Sequence, residues 1–167
     1  DVERLTAKLD VYLKEGDYEK VVNLYHQAFK QFPQEKQFFD RYFELIYLCK
    51  KNQLMQDFAP QYLQFTLQQK RYDRLTSLYK QILILVPELI PPQPEIRVEL
   101  ARLYKQQNDL KLAVKLLNGL HKTHPEFSGL PKAYQLLADC LELMPNMAAQ
   151  ADKARKLAQR LEGKLKE

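Results

Sequence analysis

Apolar residues recur at intervals of three and four along Leu5, Leu9, Tyr12 and Leu13, and again along Val21, Val22, Leu24, Tyr25, Ala28 and Phe29. That spacing lays each set on one face of an α-helix. Between the two sets, Gly16 can adopt the left-handed conformation that closes a helix, and Asp17 can accept from the free N–H groups that open the next. The same punctuation recurs at Asn52 and at Asn108-Asp109. Extended along the chain, the pattern predicts nine helices, over residues 3–15, 18–31, 36–51, 54–69, 72–86, 94–107, 110–123, 130–143 and 147–165. Cys49 and Cys140 fall inside these amphipathic patterns and read as buried apolar side chains, with a single disulfide left open as an alternative.

Aligning the second helix of each predicted hairpin exposes an internal repeat. Tyr18, Val21, Tyr25, Ala28 and Pro33 correspond to Tyr72, Leu75, Tyr79, Ile82 and Pro87, and then to Leu110, Ala113, Leu117, Leu120 and Pro125. The segment from Gly16 through Asp17-Tyr18-Glu19-Lys20-Val21 to Phe32-Pro33 resembles the second half of a tetratricopeptide repeat, with Leu9 and Tyr12 supplying part of the first half. Leu100, Ala101 and Tyr104 take the corresponding first-helix places of the third copy. The usual Trp near the repeat start and the Leu-Gly pair are absent. The resemblance implies an all-α fold, a right-handed α/α superhelix of about nine antiparallel helices. The matched prolines lie 54 and 38 residues apart, against a family repeat of about 34. The larger surplus is the length of one helix with its turn, and Phe38 to Cys49 is the candidate for an irregular middle helix. The smaller surplus coincides with Pro91-Pro92-Gln93-Pro94, which cannot continue a helix. One helical-repeat domain over 1–167 is therefore expected, with a possible subdivision into 1–87 and 94–167 around that Pro-rich linker.

Composition narrows the function. Only 4 Gly and 9 Pro in 167 residues, with 46% hydrophobic residues, suit helices joined by short turns. The longest apolar run, Ile82 to Val86, falls far short of the ~20 residues that cross a bilayer. A start at Asp1 without Met or a leader-like stretch reads as a mature product or an excised piece. The net charge of +5 gathers at the end of the chain, where Lys153, Arg155, Lys156, Arg160, Lys164 and Lys166 face only Glu162 and Glu167. A basic helix of this kind can hold nucleic acid or an anionic surface. It can equally be the solvated end of a repeat array, the capping C-terminal helix whose outer face has no neighbour to cover it.

No catalytic constellation is present. There is no Gly-rich phosphate loop or Gly-x-Ser-x-Gly elbow, and the carboxylates are scattered as helix-face ion partners. His121 and His124 are three apart and could share a helix face, but no Cys or His cluster stands near them in sequence, so no metal and no cofactor are expected. The aromatic segment Phe38, Phe39, Tyr42, Phe43, Ile46 and Tyr47 leaves two readings. The helix is enclosed by neighbours, or Phe39, Tyr42 and Ile46 line a groove and anchor a partner.

The family resemblance implies a noncatalytic scaffold or adaptor that holds a peptide or partner protein in a concave groove lined by first-helix side chains. By that register these are Asp10, Lys14, Gln64, Gln68, Arg102, Lys105 and Gln106. The Lys and Asn that the family uses near Thr6 and Asp10 to clamp chaperone tails are missing, which leaves Arg102 and Lys105 as the anion contacts. The alternatives are nucleic-acid or anionic-surface binding through the last helix, with nucleic acid the lesser reading, and self-association into a homo-oligomer through uncapped ends. Leu100-Ala101-Arg102-Leu103-Tyr104 and the helix from Ala113 to Pro125 also resemble helical-repeat tails of bacterial membrane proteins. That resemblance implies a soluble, cytoplasm-facing domain of a membrane-attached parent.

Overall fold

The structure, a computed structural model, describes residues 1–166. These residues form α-helices and no strands. In chain order they are α1 (Val2–Glu15), α2 (Tyr18–Gln31), α3 (Lys36–Leu48), α4 (Asn52–Gln68), α5 (Tyr72–Leu85), α6 (Pro94–Gln106), α7 (Leu110–Leu117), α8 (Leu120–Thr123), α9 (Leu130–Glu142) and α10 (Ala148–Leu165). Packing divides the chain into two compact units, Asp1–Asp57 and Phe58–Glu167.

One turn is used four times. Gly16, Lys50, Lys70 and Asn108 adopt the left-handed conformation, with φ of 71°, 53°, 57° and 61°. The next residue's N–H then reaches back to the carbonyl five positions earlier: Asp17 to Tyr12, Lys51 to Ile46, Arg71 to Thr66 and Asp109 to Tyr104, at 2.8 to 3.2 Å. This closure satisfies carbonyls that a helix end leaves open, and it reverses the chain into the following helix. The second helices also end alike. Phe32, Val86 and His124 share φ near −132° to −136° and ψ of 64° to 78°. Each donates its N–H at 2.8 Å to the carbonyl of Ala28, Ile82 or Leu120, the position aligned from sequence. The hairpin repeat aligned from the sequence is thus written in the backbone, with α3 standing between its first and second copies.

Three expectations are corrected. The helix expected over 110–123 is two, because Asn118 is extended and Gly119 is left-handed with φ 73°. Cys49 is exposed as the cap of α3, since that helix stops at Leu48 rather than 51, while Cys140 is buried and both thiols are free. The left-handed turn residue between α3 and α4 is Lys50, and Asn52 is already the first residue of α4.

In the first unit, α2 and α3 meet through rings. Tyr25 and Tyr42 lie 5.1 Å apart, Phe29 and Phe39 4.6 Å, and Phe29 and Tyr42 5.6 Å between centroids. Burial, with the nearby Asp57 carboxylate, pushes the Tyr42 phenol up to about 12. In the second unit, buried hydroxyls tie loops and helices to carbonyls. Tyr79 donates to Leu89 O at 2.6 Å, and Tyr104 to Thr76 O at 2.6 Å. The first of these bonds anchors the segment between α5 and α6, whose Gln93 also donates to Pro60 O at 3.1 Å. Lys80 and Asp109 pair at 2.8 Å, joining α5 to the turn that opens α7.

Arg97 of α6 is 5% exposed and has no carboxylate partner among the described residues. Its Nε donates to Leu116 O at 2.7 Å, its Nη2 to Asn118 O at 3.2 Å and its Nη1 to Thr123 Oγ1 at 3.2 Å. The cation therefore sits on the carbonyl end of α7, where the helix dipole is negative, and spans the break into α8. Burial lowers its pKa, and the nearby phenols of Tyr134 and Tyr79 oppose that shift.

Removing these bonds strands buried carbonyls. Tyr79→Phe is expected to cost about 1–2 kcal/mol, and Arg97→Met about 3 kcal/mol, in urea unfolding of the whole chain. Arg97→Lys should fail to restore the second loss, because an ammonium cannot span three separated acceptors.

Candidate partner-binding surfaces

Aligned on their left-handed turns, three first helices carry polar side chains at the same two places. Six residues before the turn stand Asp10, Gln64 and Arg102; two residues before it stand Lys14, Gln68 and Gln106. Gln64 is half-buried and the other five are exposed. In the first unit, Asp10 is held by Arg41 Nη2 at 2.8 Å. In the second, Arg102 pairs with Glu99, one turn earlier on α6, and Lys105 is half-buried. Pairing with Glu99 raises the Arg102 pKa, so its charge is fixed.

Phe39, Tyr42 and Ile46 stand elsewhere. They are 3%, 1% and 1% exposed and pack within the first unit, so they present no side chain to a partner. The α3 helix is amphipathic: Gln37, Glu44 and Leu48 are exposed along one face, and Phe38, Phe39, Tyr42, Phe43 and Ile46 are buried on the other. Leu48 at its end is its large exposed apolar side chain, at 68%.

A concavity of about 270 Å³ lies in the second unit where α7 breaks. Asn118, Gly119, His121 and Lys122 form one side, Tyr134, Leu137 and Leu141 of α9 the base, and Gln150, Lys153, Ala154 and Leu157 of α10 the other side. Gly119 makes this possible. An α7 that ran straight on would carry residues 118–122 on a continuous helix, whereas the left-handed step turns His121 toward Tyr134.

The Tyr134 hydroxyl accepts the His121 backbone N–H at 3.2 Å and makes a short hydrogen bond to His121 Nδ1. Burial pushes the His121 pKa down, reinforced by the charges of Lys122, Arg160 and Lys164. Every charge that moves His121 is positive, and none of the residues around the concavity is acidic. Burial raises the Tyr134 phenol, against the lowering effect of the backbone bonds it accepts.

The two histidines do not converge. His124 Nε2 meets Pro92 O at 2.7 Å and its Nδ1 meets Thr123 Oγ1 at 2.8 Å, while His121 turns to α9. Among the described residues no group of three His, Cys, Asp or Glu is placed to hold a metal ion, and no helix is long and apolar enough to cross a membrane. The concavity itself was not foreseen from sequence. Its one local signal is Asn118-Gly119, a turn dipeptide inside an otherwise helical pattern.

No protein-family model matches the chain, and no curated protein matches it. Among the solved structures that resemble the chain, two align over nearly its whole length. One, "MamA MSR-1 C2", is 16% identical with a TM-score of 0.45, covering 98% of this chain and 78% of that one. The other, MamA residues 41 to the end from Desulfovibrio magneticus RS-1, is 15% identical with a TM-score of 0.44, covering 98% and 77%.

Because the folded state holds His121 with a depressed pKa, the unfolded chain takes up its proton first as pH falls. The stability contributed by neutral His121 is complete above its ordinary value of 6.5 and is lost as pH falls through the folded value. His121→Gln is therefore expected to flatten the dependence of the thermal midpoint on pH below neutrality, measured by circular dichroism at matched ionic strength.

Proposed function

We propose that the chain is a noncatalytic protein-interaction scaffold, binding a partner protein or peptide through the exposed polar positions of its first helices. The observation that carries this reading is the recurrence of polar side chains in one register. Asp10 and Lys14 on α1, Gln64 and Gln68 on α4, and Arg102 and Gln106 on α6 occupy equivalent places relative to identical turns. A packed helical hairpin needs its inward positions apolar, and nothing in folding requires its outward ones to be matched. Repeats that keep a polar pair in register offer hydrogen-bonding and charged groups on helices that a partner can engage without ordering them first, which lowers the entropy lost on binding. Lys105, beside Arg102 on α6, adds a cation to that surface.

The reading is tested by capturing partners with the whole chain from a native lysate, in parallel with an Arg102→Glu, Lys105→Glu variant of unchanged helicity. Loss of a specific protein by at least tenfold on the variant, quantified by mass spectrometry, is the expected result. Equal recovery of every captured protein by both forms overturns it.

A further inference from the structure

The concavity beside the α7 break carries more than shape. On α10, Lys153, Leu157, Arg160 and Lys164 follow one another at spacings of four, three and four, which places them on a single face of the helix. Three nearby acids are committed to other cations, and Glu162, nine residues after Lys153, falls on the opposite side of α10. Asp152 pairs with Lys156 at 3.0 Å, and Asp139 and Glu142 of α9 both pair with Arg155, at 2.9 and 2.7 Å. Lys122 contributes a further cation from α8, and Lys122, Lys153, Arg160 and Lys164 are all exposed. Beneath these cations the base is apolar. Leu137 and Leu141 of α9, and Ala154 and the half-buried Leu157 of α10, form a floor with the Tyr134 ring.

We propose that this concavity is a docking pocket for an acidic peptide segment of a partner protein. An apolar side chain of the peptide enters against Leu137, Leu141 and Leu157, and flanking Asp or Glu carboxylates pair with Lys122, Lys153 and Arg160. Charge complementarity selects the occupant. An open polyanion such as nucleic acid is held by a long basic track with exposed rings for stacking, whereas Tyr134 is only 3% exposed. A lipid surface takes protruding apolar side chains, whereas Leu157 is recessed among cations. A volume of about 270 Å³ suits one or two side chains. His121 Nε2, which takes no part in the Tyr134 bond, adds a polar atom at the rim. The pocket extends the scaffold reading to a second surface, separate from the first-helix positions.

Binding is measured on the full chain by two-dimensional 15N NMR and fluorescence polarisation. The probes are a labelled ten-residue peptide alternating Glu and Leu, a Lys/Leu peptide of the same length, a Glu/Ser peptide, a thymidine oligonucleotide, and vesicles of phosphatidylcholine with phosphatidylserine. The expected result is submillimolar binding of the Glu/Leu peptide alone, with amide shifts centred on His121, Lys122, Lys153 and Leu157. A Lys153→Glu, Arg160→Glu variant should weaken that binding at least tenfold. A Lys8→Glu, Lys30→Glu control, equal in charge change, should leave it within twofold. The proposal is overturned if no probe binds, or if the Glu/Ser peptide binds as well as Glu/Leu. It is equally overturned if the oligonucleotide or the vesicles bind more tightly and lose binding in the Lys153, Arg160 variant. Sensitivity of the peptide to Arg102→Glu, Lys105→Glu instead would uphold the first-helix surface and reject this pocket.

Discussion

Four of the turns between helices in this chain hang on the closure of a helix by one residue in the left-handed conformation. When the N–H that follows Gly16, Lys50, Lys70 or Asn108 reaches the carbonyl five positions back, the helix end is satisfied and the direction of the next helix is fixed. From that point the register of the following helix is no longer free. The fifth residue after the turn is Val21, Met55, Leu75 or Ala113, and each is buried. Apolar burial then supplies the stabilisation, but the turn decides which residues receive it.

How legible this was follows the chemistry of the turn residues. Gly16 and Asn108 tolerate positive φ, and both stand in the sequence as turn signals. Lys50 and Lys70 carry the same conformation without any compositional mark, because a β-carbon there costs only about 1–2 kcal/mol locally and packing on both sides outweighs it. Periodicity alone therefore starts α4 at residue 54 rather than at Asn52, and leaves Cys49 inside a helix when it caps α3 in solvent. The long helices were recovered almost to the residue, since amphipathic periodicity over three or four turns leaves few alternatives. The break at Gly119 was lost for the opposite reason: Leu116, Leu117 and Leu120 keep helical spacing across a gap that the backbone does not bridge.

The candidate surfaces divide along the same line. Asp10, Lys14, Gln64, Gln68, Arg102 and Gln106 could be placed by counting from the turns, because an exposed register position is a property of the repeat. Phe39, Tyr42 and Ile46 share the apolar face of α3, and the periodicity of one helix does not say whether such a face meets a neighbouring helix or a partner. The pocket beside α8 was out of reach altogether. It is assembled from Gly119, Tyr134 and Leu157, residues whose meeting depends on a bend and on two later helices.

Arg97 gives that pocket an unusual independence from the solvent. The clamp across the α7 break is a buried guanidinium bonded to two carbonyls and a hydroxyl, and none of these partners titrates between acid and neutral pH. The guanidinium is 5% exposed, and none of its three partners is a carboxylate. The cations on the rim are fully exposed to both influences. Ionic strength therefore acts on the occupancy of the pocket and leaves its form alone, so that one part of a small unit behaves as a rigid mould and another as a rheostat.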